Sequence, residues 1–257
     1  INETVTGNQW APEVVGRPDG GYAVAWSSSD IVEMFMPSPE VVNRVSARFF
    51  DEASVPLTPD IDLNEHEWAE MTSIRLSGEL GGQLMIAWTS TPLLWLEQCV
   101  QVGCDPMTWV DKGQDGDGNG VFARVLSGID TPTTPAEFGL NALTVGDQAG
   151  GASAWLSGDR IAYGYTSDVV QSTMPTRNVL AGLIDETGQV AQKEASPAKY
   201  ALGRQFHIRL ATLDEGEALV TAWTSCSLKD EPETAQDGSE CGVFAQRYDR
   251  QGRRLYR

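Results

Sequence analysis

The residues best suited to chemistry lie near the start of each of four similar segments. A polar side chain is followed by an aromatic or small one, as in Gln9-Trp10, Glu67-Trp68, Gln148-Ala149 and Gln205-Phe206. Amide and carboxylate groups at equivalent places in a repeat would meet around a common axis, where they could hold a small polar ligand or a metal ion. The alternative is that the amides bond nearby backbone and the rings belong to the core.

Both histidines of the chain lie beside these motifs. His66 precedes Glu67, His207 follows Phe206, and Glu70 is close in sequence. Imidazoles and carboxylates are common metal ligands, so we predict that His66, His207 and Glu70 can serve a metal site. The predicted ligand-binding set around the axis is Gln9, Trp10, Glu67, Trp68, Gln148, Gln205, Phe206 and His207.

A second metal candidate is the acidic turn around residue 117. Asp115, Asp117 and Asn119 alternate with glycines, and this spacing is that of the first half of a calcium loop. The second half is missing, because Leu126 stands where such a loop needs a glutamate. Two interpretations stay open, a calcium site with calcium as the cofactor and a simple Gly-Asp turn that leads into a strand.

The four cysteines predict two local disulfides. The chain has no Cys-x-x-Cys motif, and Cys99–Cys104 and Cys226–Cys241 each lie within one variable loop. Such bridges indicate an oxidising compartment, and free buried thiols are the alternative. Trp95 and Trp109 share the first of these loops, where they suit stacking on a sugar or contact with a protein, unless they are buried anchors.

The elements that must position these residues are short strands that recur four times. Each copy reads as a strand, a Gly-rich turn, a strand ending near an aromatic residue, a variable loop, a third strand and a short fourth one. The aromatic residues, which we interpret as packing residues, are Trp26, Trp88, Tyr165 and Trp223.

The repeat predicts an all-β fold, a four-bladed β-propeller built from four four-stranded antiparallel repeats. We expect one domain over 1–257, with repeats of about 9–66, 67–147, 148–204 and 205–257 and with 1–8 completing the last blade. A two-sheet sandwich is the alternative, but it does not explain why the same unit recurs.

Charge narrows the choice of partners. The net charge is −18, with 36 acidic against 18 basic residues. Because such an acidic surface repels phosphate backbones and anionic lipids, we expect no nucleic-acid partner and no insertion into a membrane.

Two motifs resemble a repeat of large secreted bacterial proteins. They are Asp-Gly-Gly-Tyr-Ala-Val-Ala-Trp at 19–26 and the segment from Gln236 to Asp249. Many proteins with this repeat carry haemolysin-type calcium-binding or other cell-surface modules, and myxobacterial genomes have many of them. The resemblance implies a secreted or surface-displayed propeller and no particular activity.

These observations favour a secreted or cell-surface binding module for a glycan or a protein, with the ligand at the loop face or the channel mouth. One alternative is an extracellular enzyme at that mouth, either a hydrolase or lyase or a metal-dependent enzyme. Another is a structural spacer of a larger surface protein. No catalytic residue is assigned, because the acidic residues offer too many carboxylate pairs to choose among.

Overall fold

The computed structural model describes most of the chain. The described residues are 1–33, 40–67, 69–78, 82–92, 114–129, 131–132, 134, 136–171, 174–198, 203–228, 236–238 and 240–255. Among them, no helix combines the length and apolar character that crossing a bilayer requires. The fold is all-β apart from a short 3₁₀ helix, Asp214–Gly216.

Four antiparallel sheets follow one another along the chain, as the four-bladed propeller predicted. The first contains β1 (Asn8–Gly16), β2 (Tyr22–Glu33), β3 (Glu40–Phe50) and β4 (Ile61–Asp62). The second contains β5 (Ala69–Gly78), β6 (Leu84–Pro92), β7 (Gly120–Ser127), β8 (Thr131–Pro132) and β9 (Phe138–Gly139). The third contains β10 (Asp147–Leu156), β11 (Arg160–Gln171), β12 (Met174–Asp185) and β13 (Val190–Ala195). The fourth contains β14 (Arg204–Leu213), β15 (Ala218–Cys226), β16 (Cys241–Asp249) and β17 (Arg254–Leu255).

The first strand of each sheet is the innermost one. β1 packs on β5, β5 on β10 and β10 on β14, so these strands surround a common axis. Within each sheet the order of strands is the order of the sequence, because tight hairpins join most neighbours. In the second sheet, β8 and β9 are both short and pair with different parts of β7.

The aromatic residues of the second strands bury their rings between sheets. Trp88 lies in a core cluster with residues of the first sheet, Tyr165 in one with the second, and Trp223 in one with the third. Their interpretation as packing residues is confirmed for these three junctions. Trp26 differs, because its cluster holds residues of the first sheet alone.

Every inner strand carries a β-bulge at the same place. The bulged residue adopts a left-handed conformation, with φ of 52° at Ala11, 52° at Ser73, 69° at Gly150 and 58° at His207. Each bulge interrupts the pairing just opposite the aromatic residue of the second strand. A bulge re-aims the side chains that follow it, which makes this level of the axis a place to look for function.

The strand register corrects one alignment made from the sequence. Gln9, Gln148 and Gln205 pair with Ser28, Ser167 and Ser225. In the second sheet, the residue that pairs with the corresponding Ser90 is Met71, not Glu67. The equivalence of Glu67 with the three glutamines is therefore wrong, because the segment before β5 is four residues longer than the sequence pattern suggested.

Residues at the start of the chain make contacts with the first sheet. Arg48 donates to the carbonyl of Ile1 at 2.6 Å, and the backbone N–H of Glu3 donates to Asp60 at 2.9 Å. The completion of the last blade by residues 1–8 and the division of the chain into one domain stay predictions.

Candidate functional site

A cavity of about 300 Å³ lies between the inner strands of the second, third and fourth sheets. It is at the end of these strands where the bulges begin and where the variable loops leave the sheets. Its wall brings together charged and polar side chains from several elements. The lining residues that could act on a ligand are Ser73, Arg75, Asn119, Asp147, Thr166, Asp168, Arg177, His207 and Arg209.

The strongest chemical feature of this wall is a pair of carboxylates. Asp147 and Asp168 are directly opposite each other where β10 and β11 pair, and both line the cavity. Side chains opposite each other in an antiparallel pair have Cβ atoms about 4.5–5.5 Å apart. The two carboxyl groups therefore face the same space at short range.

Arg177 fixes one member of this pair. It lies opposite Asp168 on β12, and its Nε donates to Asp168 Oδ1 at 2.5 Å while Nη2 donates to Oδ2. Such a two-point contact sets the orientation of the carboxylate. The hydrogen bond to Asp168 raises the pKa of Arg177, and the charge of Asp147 adds to the effect.

Asp147 is held by the turn that ends the long loop of the second sheet. The backbone N–H of Asn119 donates to Asp147 Oδ1 at 3.1 Å, and the N–H of Gln148 donates to the carbonyl of Asn119 at 2.8 Å. Gly118 permits this contact, because a Cβ there would lie 2.7 Å from Asp147 Oδ1. Gly146 likewise lets the linker between β9 and β10 approach β11, since a Cβ added there would lie 2.2 Å from the carbonyl oxygen of Asp168.

Deeper in the axis, the position after each bulge is occupied by Glu13, Arg75, Ala152 and Arg209 in the four sheets. Arg75 donates to Glu13 at 2.7 Å and to the carbonyl of Ile74 at 2.7 Å. Arg209 makes the matching bond to the carbonyl of Ile208 at 2.8 Å. Burial lowers the pKa of Arg209, and the nearby charge of Arg75 lowers it further.

Two residues of the predicted ligand-binding set lie in this wall. Phe206 and His207 line the cavity, with their rings edge to face at 4.9 Å between centroids. The left-handed conformation of His207 at the bulge directs its side chain there. Their binding role stays a prediction, but their place agrees with it.

The glutamines have a structural role that the sequence analysis had kept as the alternative. Gln148 and Gln205 are 0% exposed. Gln148 donates to the carbonyls of Val145 and Gly146, each at 2.9 Å, and so holds the linker that carries Asp147. Gln9 makes the matching bond to Thr6, at 2.6 Å.

The other predicted binding residues lie away from the cavity. Gln9 lines a separate cavity of about 150 Å³ against the first sheet, and Trp10 is half-buried on β1. Glu67 lies within 3.4 Å of Arg44. Trp68, Trp95 and Trp109 lie outside the described residues.

The structure does not bring His66, Glu70 and His207 together. His66 contacts Glu137 at 2.6 Å, in the segments that join neighbouring sheets, and it does not line the cavity that holds His207. Across the described parts of the chain, no group of three His, Cys, Asp or Glu side chains is placed to hold a metal ion.

In the acidic turn, the carboxylates bind protein groups. Asp115 accepts from Asn141 at 2.7 Å, and Asp117 accepts from the N–H of Gly146 at 3.0 Å. Burial raises the pKa of Asp115, although the hydrogen bond from Asn141 opposes the shift. The acidic turn therefore packs against the linker before Asp147, which its residue Asn119 also contacts. A calcium ion in this turn stays a prediction.

One of the two predicted disulfides is present. Cys226 and Cys241 form a bridge between the paired ends of β15 and β16. Cys99 and Cys104 lie outside the described residues.

A larger cavity of about 650 Å³ lies at the opposite end of the inner strands, where the hairpin turns meet. Its wall is mostly glycine, proline and apolar side chains, with Arg17 and Glu215 as its charged members. Among its described lining residues there is no carboxylate pair, so the smaller cavity is the better candidate for chemistry.

Comparison with known proteins finds similar folds among solved structures. No protein-family model matches the chain, and no curated protein sequence matches it. An α-L-arabinofuranosidase from Lactobacillus brevis is 11% identical, with 96% of this chain and 74% of that one covered and a TM-score of 0.45. An α-L-arabinofuranosidase of Fusarium graminearum, in complex with arabinobiose, is 10% identical over 94% and 58%, with a TM-score of 0.49. An endo-arabinase from Bacteroides thetaiotaomicron is 13% identical over 95% and 77%, with a TM-score of 0.44.

The binding-module interpretation is contradicted, since the similar structures are named as α-L-arabinofuranosidases and an endo-arabinase and none of those reported is named as a binding module. The haemolysin-type resemblance finds no support, since no family model matches. At such identities only the fold is shared, so the reaction and the substrate have to be argued from the cavity itself.

Sequence reasoning missed Asp147, Asp168, Arg75, Arg177 and Arg209. One signal was available, because Asp147 directly precedes Gln148 and so shares its place at the start of an inner strand. The pairing of Asp168 with both Asp147 and Arg177 depends on the register of three strands, which the sequence pattern does not fix.

Proposed function

We propose that this chain is an extracellular glycoside hydrolase that uses Asp147 and Asp168 in the cavity at the inner strands. The observation that carries the proposal is the cross-strand pair of carboxylates in a concave, partly enclosed wall. Hydrolysis of a glycosidic bond needs two such groups, one to protonate the leaving oxygen and one to attack or to activate water. The disulfide between Cys226 and Cys241 supports the extracellular location.

The geometry also supports a division of roles. Asp168 is oriented by both nitrogens of Arg177, so it presents a fixed carboxylate to the anomeric carbon. Asp147 is more exposed and accepts one backbone hydrogen bond, from Asn119, in the described structure, so we assign it the role of protonating the leaving oxygen. If Asp168 attacks the anomeric carbon itself, the configuration is retained, and if it activates a water instead, the configuration is inverted.

The test is a panel of extracellular polysaccharides and aryl glycosides, with release of reducing ends as the measurement. On any substrate that the protein cleaves, Asp147→Asn and Asp168→Asn should each lower kcat by about 10²–10⁴-fold, as loss of an acid–base group does. NMR of the first-formed anomer then shows whether Asp168 acts as the nucleophile, with retention, or as the base for a water, with inversion.

The matched control is Asp159→Asn, at the turn on the far end of the same β10–β11 hairpin. Asp159 has φ of 57°, which asparagine tolerates, so this variant should keep the wild-type rate. Wild-type rates in both cavity variants, with unchanged thermal unfolding, would contradict the proposal. So would a panel on which the wild-type protein releases no reducing ends.

A further inference from the structure

Three arginines line the cavity together with Asp147 and Asp168, in a chain with 18 basic and 36 acidic residues. Arg177 is neutralised by Asp168 and Arg75 by Glu13. For Arg209, no carboxylate lies within salt-bridge distance among the described residues. Its one side-chain hydrogen bond among them goes to the carbonyl of Ile208 in its own strand.

The repeat shows why Arg209 is left in this state. Glu13, Arg75, Ala152 and Arg209 hold the same position in four successive sheets, so they form one level around the axis. One glutamate serves two arginines there. Ala152, the fourth member of this level, carries no charge and packs in a core cluster, so Glu13 is the level's single carboxylate.

Arg75 and Arg209 are also oriented alike. Each folds back to donate to the carbonyl of the residue directly before it, Ile74 at 2.7 Å and Ile208 at 2.8 Å. The remaining guanidinium donors are then free to point along the cavity. A guanidinium offers a planar pair of donors that matches a carboxylate or a sulfate group.

We propose that Arg209, supported by Arg75, forms an anion subsite that binds the acidic substituent of a charged sugar, as in a uronate or a sulfated glycan. In an acidic protein, such a local positive charge attracts anions to one place, whereas the acidic surface elsewhere repels them. The inference rests on the proposed function only in taking the ligand to be a sugar.

The test measures binding of monosaccharides, which contain no glycosidic bond to cleave. Glucuronate, glucose 6-sulfate and glucose are titrated into the wild-type protein at low ionic strength, with calorimetry or ligand-observed NMR as the readout. We expect an anionic sugar to bind at least about tenfold more tightly than glucose, with a preference that falls as salt is added. Tighter binding of glucuronate points to a carboxylated glycan, and tighter binding of glucose 6-sulfate to a sulfated one.

Variants locate the subsite. Arg209→Met should remove the preference, and Arg209→Lys should keep part of it, because the charge remains without the planar pair of donors. Arg160→Met, which removes an arginine outside the cavity, is the matched control and should bind as the wild type does. Thermal unfolding of each variant shows that it folds.

The outcomes separate this inference from the proposed function. Equal affinity for glucose and both anionic sugars, or an undiminished preference in Arg209→Met, would overturn the subsite even if the protein cleaves neutral glycans. Anion binding that depends on Arg209 in a protein that cleaves no glycan would keep the subsite and remove the hydrolase proposal alone.

Discussion

The junctions between successive sheets differ sharply from the junction between the fourth sheet and the first. The third strand of each sheet carries a valine that pairs just beyond the aromatic residue of the second strand. Val45, Val121 and Val179 are each 0% exposed, whereas Val243 is 80% exposed. The same residue type in the same register is thus buried three times and open once.

The facing side of the first sheet is open as well. Ile74 and Ile208, which follow the bulges of β5 and β14, are buried against the preceding sheet. Pro12 holds this place in β1 and is exposed, as is Val14. In the described residues β1 and β14 show no packing comparable with that of the other inner strands. We call the pair of faces marked by Val243 and Pro12 the open junction.

Some local contacts recur both at the closed junctions and at the start of the chain. Arg124 donates to the carbonyl of Leu63 at 3.0 Å, and Arg48, its equivalent in the first sheet, donates to Ile1 at 2.6 Å. Asn64 accepts the N–H of Val45 at 2.7 Å, whereas no corresponding bond joins Asn2 to Val243 among the described contacts. Hairpins therefore form alike in every repeat, whereas the open junction lacks both burial by a neighbouring sheet and, among the described contacts, the linker bond that Asn64 makes.

The largest test of this comparison replaces equivalent valines by a charge. Val121→Asp buries an uncompensated carboxylate, which should lower the free energy of unfolding by about 3–5 kcal/mol. Val243→Asp places the same group in water and should change it by less than about 0.5 kcal/mol. Urea unfolding of both variants measures the difference. Equal destabilisation would mean that the fourth and first sheets pack together in solution.

A second, smaller effect concerns the covalent link in the fourth sheet. The bridge of Cys226 and Cys241 closes a loop with a sequence separation of 15. It lies in the fourth sheet, whose face at the open junction has no covering neighbour. Replacing both cysteines by serine should lower the free energy of unfolding by about 3 kcal/mol in the chain-entropy model. Hydrogen exchange should then rise first in β15 and β16. Faster exchange confined to the first three sheets would contradict this assignment.

The smallest effect should be equal on both sides of the comparison. Asp185 and Asp249 begin the turns after β12 and β16, and each accepts backbone N–H bonds two and four residues on. Replacing either aspartate by alanine should cost about 1 kcal/mol, because both turns depend on local bonds alone. Thermal unfolding measures it, and a cost limited to Asp185→Ala would show that neighbouring sheets support the turn.

The turn of Asp185 also carries a pH dependence. Burial acts to raise its pKa, but the hydrogen bonds from Thr187 and the N–H of Gln189 outweigh burial and lower it below the usual value. The stability that this group contributes is therefore complete above its unfolded pKa and is lost as pH falls through the lower, folded one. Below that range Asp185→Ala and the wild-type protein should differ less in stability than at neutral pH.

Much of the fold could be predicted from the sequence, because its signals are local. Gly-rich turns such as Asp19-Gly20-Gly21 and the alternation around Trp26 define hairpins, and their fourfold recurrence defines the sheets. The candidate site could be predicted only in part. Phe206 and His207 were expected near the axis and lie in the cavity wall, but Glu67 was misaligned, since nothing local distinguishes its segment from the true start of β5.

By itself, the sequence determined the four antiparallel units, the bridge of Cys226 and Cys241 and the polar start of three of the four inner strands, because short-range spacing encodes all three. Tertiary structure alone decided which polar residues face the cavity. The bulges turn Arg75, His207 and Arg209 towards the axis while Gln148 and Gln205 become buried, and the register of three strands unites Asp147, Asp168 and Arg177. A shift of one residue along a strand moves a side chain to the opposite face, so the choice depends on pairing between distant segments.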